Sequence, residues 1–360
     1  KSHMAHHQGM VLCAASNVLT DHALSAIFCS IPAADAFRYL LCEEAPRFAR
    51  VLPPPLKPAC LTACQDVSSF VEPDETDAQL LFSERMTWVT DALGNGFLKS
   101  GDCFLSRFDP FSEEGCGPRF YLRDVNTGRS VCLSAPEKAA FDTGDAVYEA
   151  SCGALRVSQT RFVSPMEGAA VAWFTLVNTG AEPVRAELIS YLEPALGSLS
   201  ADLSHPNFRD LFITVEKVSG RALCAKRRER NPGDRAPLLL HYFEGAAEEL
   251  GLQGDRALFL GRTGTLSAPD RLRLSLSEAP ARLGGTVMPC LSLSAVMTLP
   301  PRGETRAAFV FCACADEAAA DRALRFFDSP GDLKGALSLA KTQAELTRKA
   351  LETASCPPGF

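Results

Sequence analysis

Three of the six histidines lie within the first ten residues, KSHMAHHQGM, at positions 3, 6 and 7. Residues three and four apart share one face of a helix, so these imidazoles could bind a metal ion together. The common helical zinc motif, however, has a glutamate directly after its first histidine, and here Gln8 and Gly9 follow the pair. The sequence therefore predicts no metal site, and the run is either a cloning remnant or the end of a helical segment.

Cysteine is a second group with chemical potential, and the chain has fourteen of them. They are scattered and lie mostly in apolar strings such as VFCACA (310–315), and no C-x-x-C pair occurs. Disulfide frameworks are typical of short secreted chains, and zinc ribbons need paired cysteines. We therefore predict free, buried thiols, no metal and a reducing, cytoplasmic location.

The charge of the chain restricts its partners. A formal net charge of −7 argues against nucleic acid, because phosphate binding needs clustered Lys and Arg. One basic run, AKRRERNP at 225–232, is an exception. It is interpreted as a solvated strand end, with an anion site as the alternative. No apolar run approaches the ~18 residues of a membrane span, so no membrane segment is predicted.

At the level of elements, the hydrophobic pattern divides the chain into four parts. Helical periodicity covers 1–50, where Pro32 opens a second helix, and a proline-rich linker covers 51–77. Short Val-, Leu- and Phe-rich runs with turn signals at NTG (126–128 and 178–180) and VSG (218–220) fill 78–316. Helical periodicity returns over 317–360. Many strands in meander order with few helices predict a mainly β protein with a large antiparallel sandwich, flanked by helices at both ends.

Four stretches in collinear order carry a family resemblance. MAHHQGM followed by two helices resembles the end of the helical transglycosylase-like region of cyclic β-1,2-glucan synthases. GPRFYLRDVNTGRSVCLSA (117–135) is similar to the family's WGSFIYLRDVDSG, and SHPNFRDLFI (204–213) to its AHPAFSKLFV. DRALFLGR (255–262) matches DRARFLGR. The chain thus resembles the N-terminal sandwich of a cellobiose-phosphorylase-like unit, glycoside hydrolase family 94.

The resemblance implies a galactose-mutarotase-like supersandwich within a larger enzyme. It makes 1–50 the C-terminal helices of a preceding (α/α)6-type domain, and 317–360 the linker helices leading to an absent (α/α)6 catalytic barrel. KSHM is then native sequence. In such enzymes the general acid and the phosphate-binding residues of inverting phosphorolysis lie in the barrel. It follows that this chain has no catalytic residue and is inactive alone. Inorganic phosphate is the parent's co-substrate, no cofactor is expected, and the parent could be attached to the bacterial inner membrane.

The resemblance also gives candidate substrate-binding residues, which are Arg107, Phe108, Asp109, His6 and His7. In SRFDP (106–110), Arg107 and Asp109 flank Phe108 on a predicted loop and either contact a glucan or cap a strand. His6 and His7 either line the sugar cleft of the preceding domain or pack against a helix. Arg123, Asp124 and Arg262 are interpreted as architectural, with Arg262 pairing to an acid. Where the family has a tryptophan, Ser100 offers a sugar ring no stacking face.

Three functional hypotheses remain open. In the first, the sandwich packs on the catalytic barrel, shapes the rim of a β-glucan oligosaccharide site and dimerises. In the second, it is a stand-alone β-glucan-binding module, which would need exposed aromatic side chains. The chain has only two tryptophans, and Trp173 lies in an apolar run typical of a core. In the third, it is a structural spacer or dimerisation domain.

Overall fold

The computed structural model describes residues 5–31, 34, 77–109, 112, 114–166, 168–229, 235–327 and 330–354. The chain forms two compact units, 1–65 and 66–360. The first contains α1 (Ala5–Leu19) and α2 (Ala23–Cys29). The predicted helical periodicity is confirmed here, with a break where Asp21 and His22 adopt left-handed backbone angles. The helix predicted after Pro32 and the linker predicted at 51–77 lie outside the described residues, apart from Ala34 and Asp77.

The second unit contains three antiparallel sheets. The first has the order β1-β2-β3-β4-β12. Its strands are β1 (Ala78–Phe82), β2 (Thr87–Asp91), β3 (Gly96–Ser100), β4 (Cys103–Ser106) and β12 (Pro194–Gly197).

The second sheet has nine strands in the order β17-β13-β14-β15-β19-β10-β9-β8-β7. They are β7 (Lys138–Asp142), β8 (Asp145–Cys152), β9 (Leu155–Ser164), β10 (Ala169–Asn178), β13 (Ile213–Ser219), β14 (Ala222–Arg227), β15 (Leu238–Gly245), β17 (Gly284–Gly285) and β19 (Glu304–Cys314).

The third sheet has the order β16-β18-β11-β5-β6. Its strands are β5 (Arg119–Asp124), β6 (Ser130–Cys132), β11 (Val184–Leu192), β16 (Glu249–Asp255) and β18 (Pro289–Leu299).

The main core lies between the second and third sheets. Phe120 of β5 contacts Phe174 of β10 and Phe309 of β19, with ring centroids 5.2 and 5.9 Å apart. All three side chains are fully buried. Along β10 the inward Phe174 alternates with the outward Val171 and Trp173, as expected when successive side chains point to opposite faces. Two apolar faces packed together exclude water from both sheets and define a sandwich.

Helices cover the other face of the nine-stranded sheet. They are α6 (Glu317–Ala323) and α7 (Pro330–Ala354). Phe327, Leu333 and Ala336 are buried against outward residues of that sheet. Pro330 occupies the start of α7, where its missing N–H costs no helical hydrogen bond. The helical pattern predicted after residue 316 is confirmed up to 354, and CPPGF lies outside the described residues.

Short helices lie beside the first and third sheets. They are α3 (Leu199–Ser204), α4 (Pro206–Asp210), α5 (Arg256–Leu260) and a 3-10 turn (Asp270–Arg273). Phe259 of α5 stacks on Tyr191 of β11 at 4.5 Å and forms a small third core. The predicted mainly β sandwich with flanking helices is confirmed. The strands form meanders only locally, because NTG at 178–180 connects β10 and β11, which lie in different sheets.

None of the described helices is by itself long and apolar enough to cross a bilayer, and only the bent pair α1–α2, with 103° between the two, reaches that length and composition together.

Candidate functional site

The candidate site is a cleft of about 350 Å³ in the second unit. The loop after β4, the end of β11, α3 and the start of α5 surround it. Arg107, Phe108 and Asp109, predicted from the sequence, all line this cleft. Glu193, Asp202 and Arg256 line it as well, and none of them stood out in the sequence.

Arg107 is held by three carboxylates. Its Nη2 lies 2.6 Å from Oδ1 of Asp210, and its Nη1 lies 3.3 Å from Oε2 of Glu193. Its Nε lies 3.5 Å from Oδ2 of Asp202. Asp202 and Asp210 are almost fully buried. The guanidinium therefore connects the loop after β4 to β11, α3 and α4, and the strand-capping role considered for it becomes an ion-pair network.

Glu193 is shared between two sides of the cleft. Its Oε1 accepts a hydrogen bond from the Tyr191 hydroxyl at 2.7 Å and pairs with Nε of Arg256 at 2.8 Å. Its Oε2 faces Arg107. Three donors occupy three of the four lone pairs of a carboxylate, which fixes its orientation. Glu193 is thus a positioning group that aligns Arg107 and Arg256.

The electrostatics of the cluster follow from burial and pairing. Burial favours the neutral form of Arg107, yet the carboxylates of Asp210, Asp202 and Glu193 raise the pKa of Arg107 above its ordinary value. Burial raises the pKa of Asp210, while Arg107 acts against that increase. Burial also raises the pKa of the Tyr191 hydroxyl, and the charge of Glu193 adds to this effect. Arg107 is cationic at neutral pH.

Asp202 provides an acceptor that the protein leaves unused. Its Oδ1 is buried and accepts no hydrogen bond from the described residues, whereas its Oδ2 faces Arg107. A buried oxygen without a donor costs free energy unless water or a ligand donates to it. Because Asp202 lines the cleft, a ligand hydroxyl is the kind of donor that would satisfy it.

The apolar part of the cleft is built on an aromatic cluster. The half-buried ring of Phe108 lies 4.8 Å from that of Phe97 and 6.3 Å from that of Phe104. Phe97 and Phe104 belong to β3 and β4, so the first sheet supports the ring from behind. A fixed aromatic ring beside charged acceptors is the usual composition of a site for a polar ring with an apolar face.

The opposite wall depends on a close backbone approach. Gly117 has a φ of +91°, and a Cβ at this position would collide with the carbonyl group of Gly96. This permits the loop to pass over β3 and brings Arg119 to the cleft, where it donates to Oδ1 of Asn95 at 3.2 Å. The predicted region around 117–135 thus contributes a wall as well as a strand pair.

The geometry supports binding more directly than proton transfer. Each buried carboxylate of the cluster already faces a guanidinium, so none is held ready as a general acid or base. Among the part of the chain that the structure describes, no group of three or more His, Cys, Asp or Glu side chains is arranged to hold a metal ion.

The remaining predicted residues lie elsewhere. His6 and His7 are exposed on α1 in the unit 1–65, with ring centroids 4.1 Å apart, and their sugar-cleft role stays a prediction. Asp124 accepts hydrogen bonds from the backbone of the NTG turn, as expected for an architectural residue. Arg262 is exposed, and the arginines that pair with the buried Glu187 are Arg123 and Arg271.

None of the ten cysteines in the described ranges forms a disulfide bond. Cys152, Cys224 and Cys290 are among the buried ones, whereas Cys13 and Cys29 are exposed on the first two helices. The prediction of free thiols therefore holds for these ten, and the prediction of burial does not hold for Cys13 and Cys29.

Trp88 is fully buried and Trp173 is half-buried against the core under α6 and α7. Neither tryptophan offers a free stacking face. The exposed pair of aromatics that a stand-alone binding module would need is therefore not supplied by tryptophan.

The sequence signals for the missed residues were weak. Glu193 and Asp202 lie 86 and 95 positions after Arg107, which is too far for any local pattern to join them. Arg256 and Asp210 did fall within stretches that carried the family resemblance. Only the three-dimensional pairing shows that they belong to one cluster.

Several known proteins are similar to this chain. Cyclic beta-(1,2)-glucan synthase NdvB of Rhizobium meliloti (strain 1021) is 27% identical to this chain. The alignment is 371 positions long and covers 96% of this chain. The chain spans 13% of the length of that curated relative. Among solved structures, a bacterial glucoamylase complexed with acarbose has 12% identity and a TM-score of 0.45, over 77% of this chain and 38% of that one. A putative kojibiose phosphorylase from human microbiome has 9% identity and a TM-score of 0.40, over 74% and 35%.

The model of the glycosyl hydrolase 94 supersandwich domain matches residues 71–330. This range contains every strand of the three sheets and both walls of the cleft. It also covers well over half of the chain. The chain therefore belongs to the glycosyl hydrolase 94 supersandwich-domain family.

Proposed function

We propose that this supersandwich is a non-catalytic, glucan-binding part of a cyclic β-1,2-glucan synthase-like protein. Its cleft holds a segment of β-glucan oligosaccharide at the rim of a site whose chemistry belongs to an (α/α)6 barrel. The observation that carries the proposal is the cleft itself, which combines the Phe108 ring with the unsatisfied Oδ1 of Asp202 and an arginine–carboxylate frame.

The binding mode follows from these groups. The Phe108 ring packs against the C–H face of a glucose unit, while Asp202 accepts a hydrogen bond from one of its hydroxyls. Arg107 and Glu193 act as positioning residues, since their charges are already used in the network that fixes Asp202 and Phe108. Asp109 lines the cleft beside Phe108 and adds polar contact.

In this proposal the barrel carries out the reaction, and this chain contributes no chemical step. Inverting phosphorolysis requires a general acid and a bound phosphate on opposite sides of the anomeric carbon. Glu193, Asp202 and Asp210 already face guanidinium groups, and we propose neither role for them. Inorganic phosphate is proposed as the co-substrate of the barrel, with no other cofactor, and a second copy of this chain is proposed as a further partner. The location stays cytoplasmic, with the parent protein attached to the inner membrane.

Isothermal titration of the purified chain with β-1,2-glucooligosaccharides tests the binding claim. Phe108→Ala should weaken binding by about 3- to 10-fold, the value of one ring contact. Phe208→Ala is the matched control, because its half-buried ring contacts Phe212 and does not line the cleft. Equal weakening by both variants, or no heat with the unaltered chain, would contradict the proposal.

Two further measurements separate the alternatives. Incubation of the chain with phosphate and glucan should release no glucose 1-phosphate, and its release would place catalysis within this chain. If titration shows no heat and light scattering shows a dimer, the spacer or dimerisation hypothesis replaces the binding one.

A further inference from the structure

A second pocket, of about 510 Å³, lies on the other side of α3. Three arginines line it, Arg209, Arg227 and Arg235, and Asp102 is the one carboxylate among its described lining residues. It shares no lining residue with the glucan cleft. Arg235 also pairs with Glu229 at 3.3 Å, so the lining itself has three arginines and one carboxylate, in a chain whose formal net charge is −7.

Arg209 is seated by the backbone of β12. Its Nη2 lies 3.4 Å from the carbonyl oxygens of both Ala195 and Leu196. The guanidinium lies so close to residue 197 that a Cβ there would displace it. Leu196 adopts a left-handed φ of +48°, which is costly for a branched residue and is found mainly where the surroundings enforce it. Arg209 is thus held against the backbone of β12.

The second arginine comes from the basic run at 225–232. Within that run, Lys226 pairs with Glu216 and Glu317 at 2.7 Å each, and Arg228 lies over the ring of Phe212 at 5.2 Å. These two fit the solvated strand end predicted from the sequence. Arg227, at the end of β14, instead lines the pocket opposite Arg209. Within the basic run, Lys226 and Arg228 thus make surface contacts, and Arg227 lines the pocket.

Two further features support an anion at this place. Burial raises the pKa of the Cys103 thiol, whereas the positive charges of Arg227 and Arg209 both lower it. Cys103 lines the pocket, so both guanidinium groups act on the same part of the pocket wall. Ser198 lines the pocket and, although it precedes α3, its hydroxyl makes no capping hydrogen bond with that helix. The Ser198 hydroxyl lies 3.5 Å from that of Ser200, and it adds a polar group beside the guanidinium groups.

We propose that this pocket binds an oxyanion of the phosphate class. Planar guanidinium groups donate paired hydrogen bonds to such oxygens, which is why arginine is preferred over lysine at these sites. A volume of about 510 Å³ lies within the range of small-molecule pockets and exceeds what one phosphate ion fills. The phosphate of a sugar phosphate suits it better than the free ion.

The test is isothermal titration of the full chain with inorganic phosphate, glucose 1-phosphate and glucose, at constant ionic strength. Binding of either phosphate compound supports the proposal, and the tighter of the two identifies the source of the oxyanion. Binding of glucose alone, or of none of the three, would overturn it.

Substitutions then assign the site to the arginines. Arg227→Gln should weaken phosphate-compound binding about tenfold or more, since a charge-assisted pair is lost, and Arg227→Lys should recover part of the affinity. Arg306→Gln removes the same charge from the half-exposed pair with Glu304 and serves as the control. Thermal melting of each variant verifies folding. Equal weakening by Arg227→Gln and Arg306→Gln would show a general charge effect and contradict the proposal.

Discussion

At the scale of single residues, Arg107 is the most connected side chain of the cleft. Its pairs with Glu193, Asp202 and Asp210 join four elements in a region that excludes most water. The favourable energy of a buried ion pair is largely offset by desolvation of its members. Removal of one member, by contrast, leaves the others buried without countercharge. Arg107 is therefore required because its three carboxylates are present.

Arg107→Met should lower the free energy of unfolding by about 3 kcal/mol at pH 7, because Asp202 and Asp210 lose their counter-ion. The loss should be smaller at pH 5. Burial raises the pKa of Asp210, and the loss of Arg107 removes the charge that acts against this, so the folded variant takes up a proton there as the pH falls and gains relative stability. Urea unfolding at both pH values measures this.

The control for this substitution is Arg185→Met. Arg185 pairs with Glu248 and Glu249 on the surface, with 39% of its side chain exposed. An exposed pair of this kind contributes about 0–1 kcal/mol. A similar loss of stability in the two variants, or a larger loss for Arg107→Met at pH 5 than at pH 7, would show that the network does not act as described.

At the scale of elements, α7 is bound to the nine-stranded sheet by both apolar and charged contacts. Leu333, Ala336 and Ala340 are buried on its inner face. Further along, Nζ of Lys341 lies 2.9 Å from carboxylate oxygens of both Asp142 and Asp145. The register of the helix on β7 and β8 is therefore fixed at two places, which makes it an integral layer of the sandwich.

Leu333→Ala should destabilise the second unit by about 3 kcal/mol, the typical cost of a cavity left by a buried leucine. Leu346→Ala on the same helix is the matched control, because 63% of Leu346 is exposed and its loss should change stability by less than about 0.5 kcal/mol. The midpoints of urea unfolding for the two variants provide the comparison. If α7 were only loosely attached, both substitutions would have equally small effects.

The sequence predicted the elements better than their assembly. Alternation along β10 and the helical repeat after residue 316 are local patterns, and the structure has a strand and helices there. Alternation identifies the two faces of a strand but not the sheet that the strand joins. The passage from β10 to β11 was therefore not predictable. The partners of Arg107 are equally remote, since Asp210 is 103 positions away.

At the scale of the whole molecule, a polar contact bridges the two main sheets within the apolar core. His241 of β15 is fully buried and stacks on Phe311 at 4.2 Å. Nδ1 lies 3.1 Å from the carbonyl oxygen of Val310, which can only accept, so this nitrogen carries the proton. Nε2 then accepts from the hydroxyl of Ser190 on β11 at 2.7 Å. Both nitrogens of the neutral ring are satisfied, by a hydroxyl and a backbone carbonyl group.

This arrangement makes the stability of the sandwich depend on pH. Burial lowers the pKa of His241 from its ordinary 6.5 to about 3. Between these values the unfolded chain binds a proton at this residue and the folded chain does not, so acidification favours unfolding. The contribution of His241 is complete above pH 6.5 and declines as the pH falls toward 3. At pH 5 it should be about 2 kcal/mol smaller than at pH 7.

Urea unfolding of the full chain at pH 7 and pH 5 measures this difference, with His241→Gln as the comparison. Glutamine retains a donor and an acceptor but does not titrate, so the pH dependence that remains in the variant comes from the other titratable groups. The variant should be less stable than the unaltered chain at pH 7, because the ring contacts with Phe311 are lost. It should nevertheless lose about 2 kcal/mol less on acidification. If both proteins lost the same stability between pH 7 and pH 5, His241 would not be the neutral bridge between the sheets.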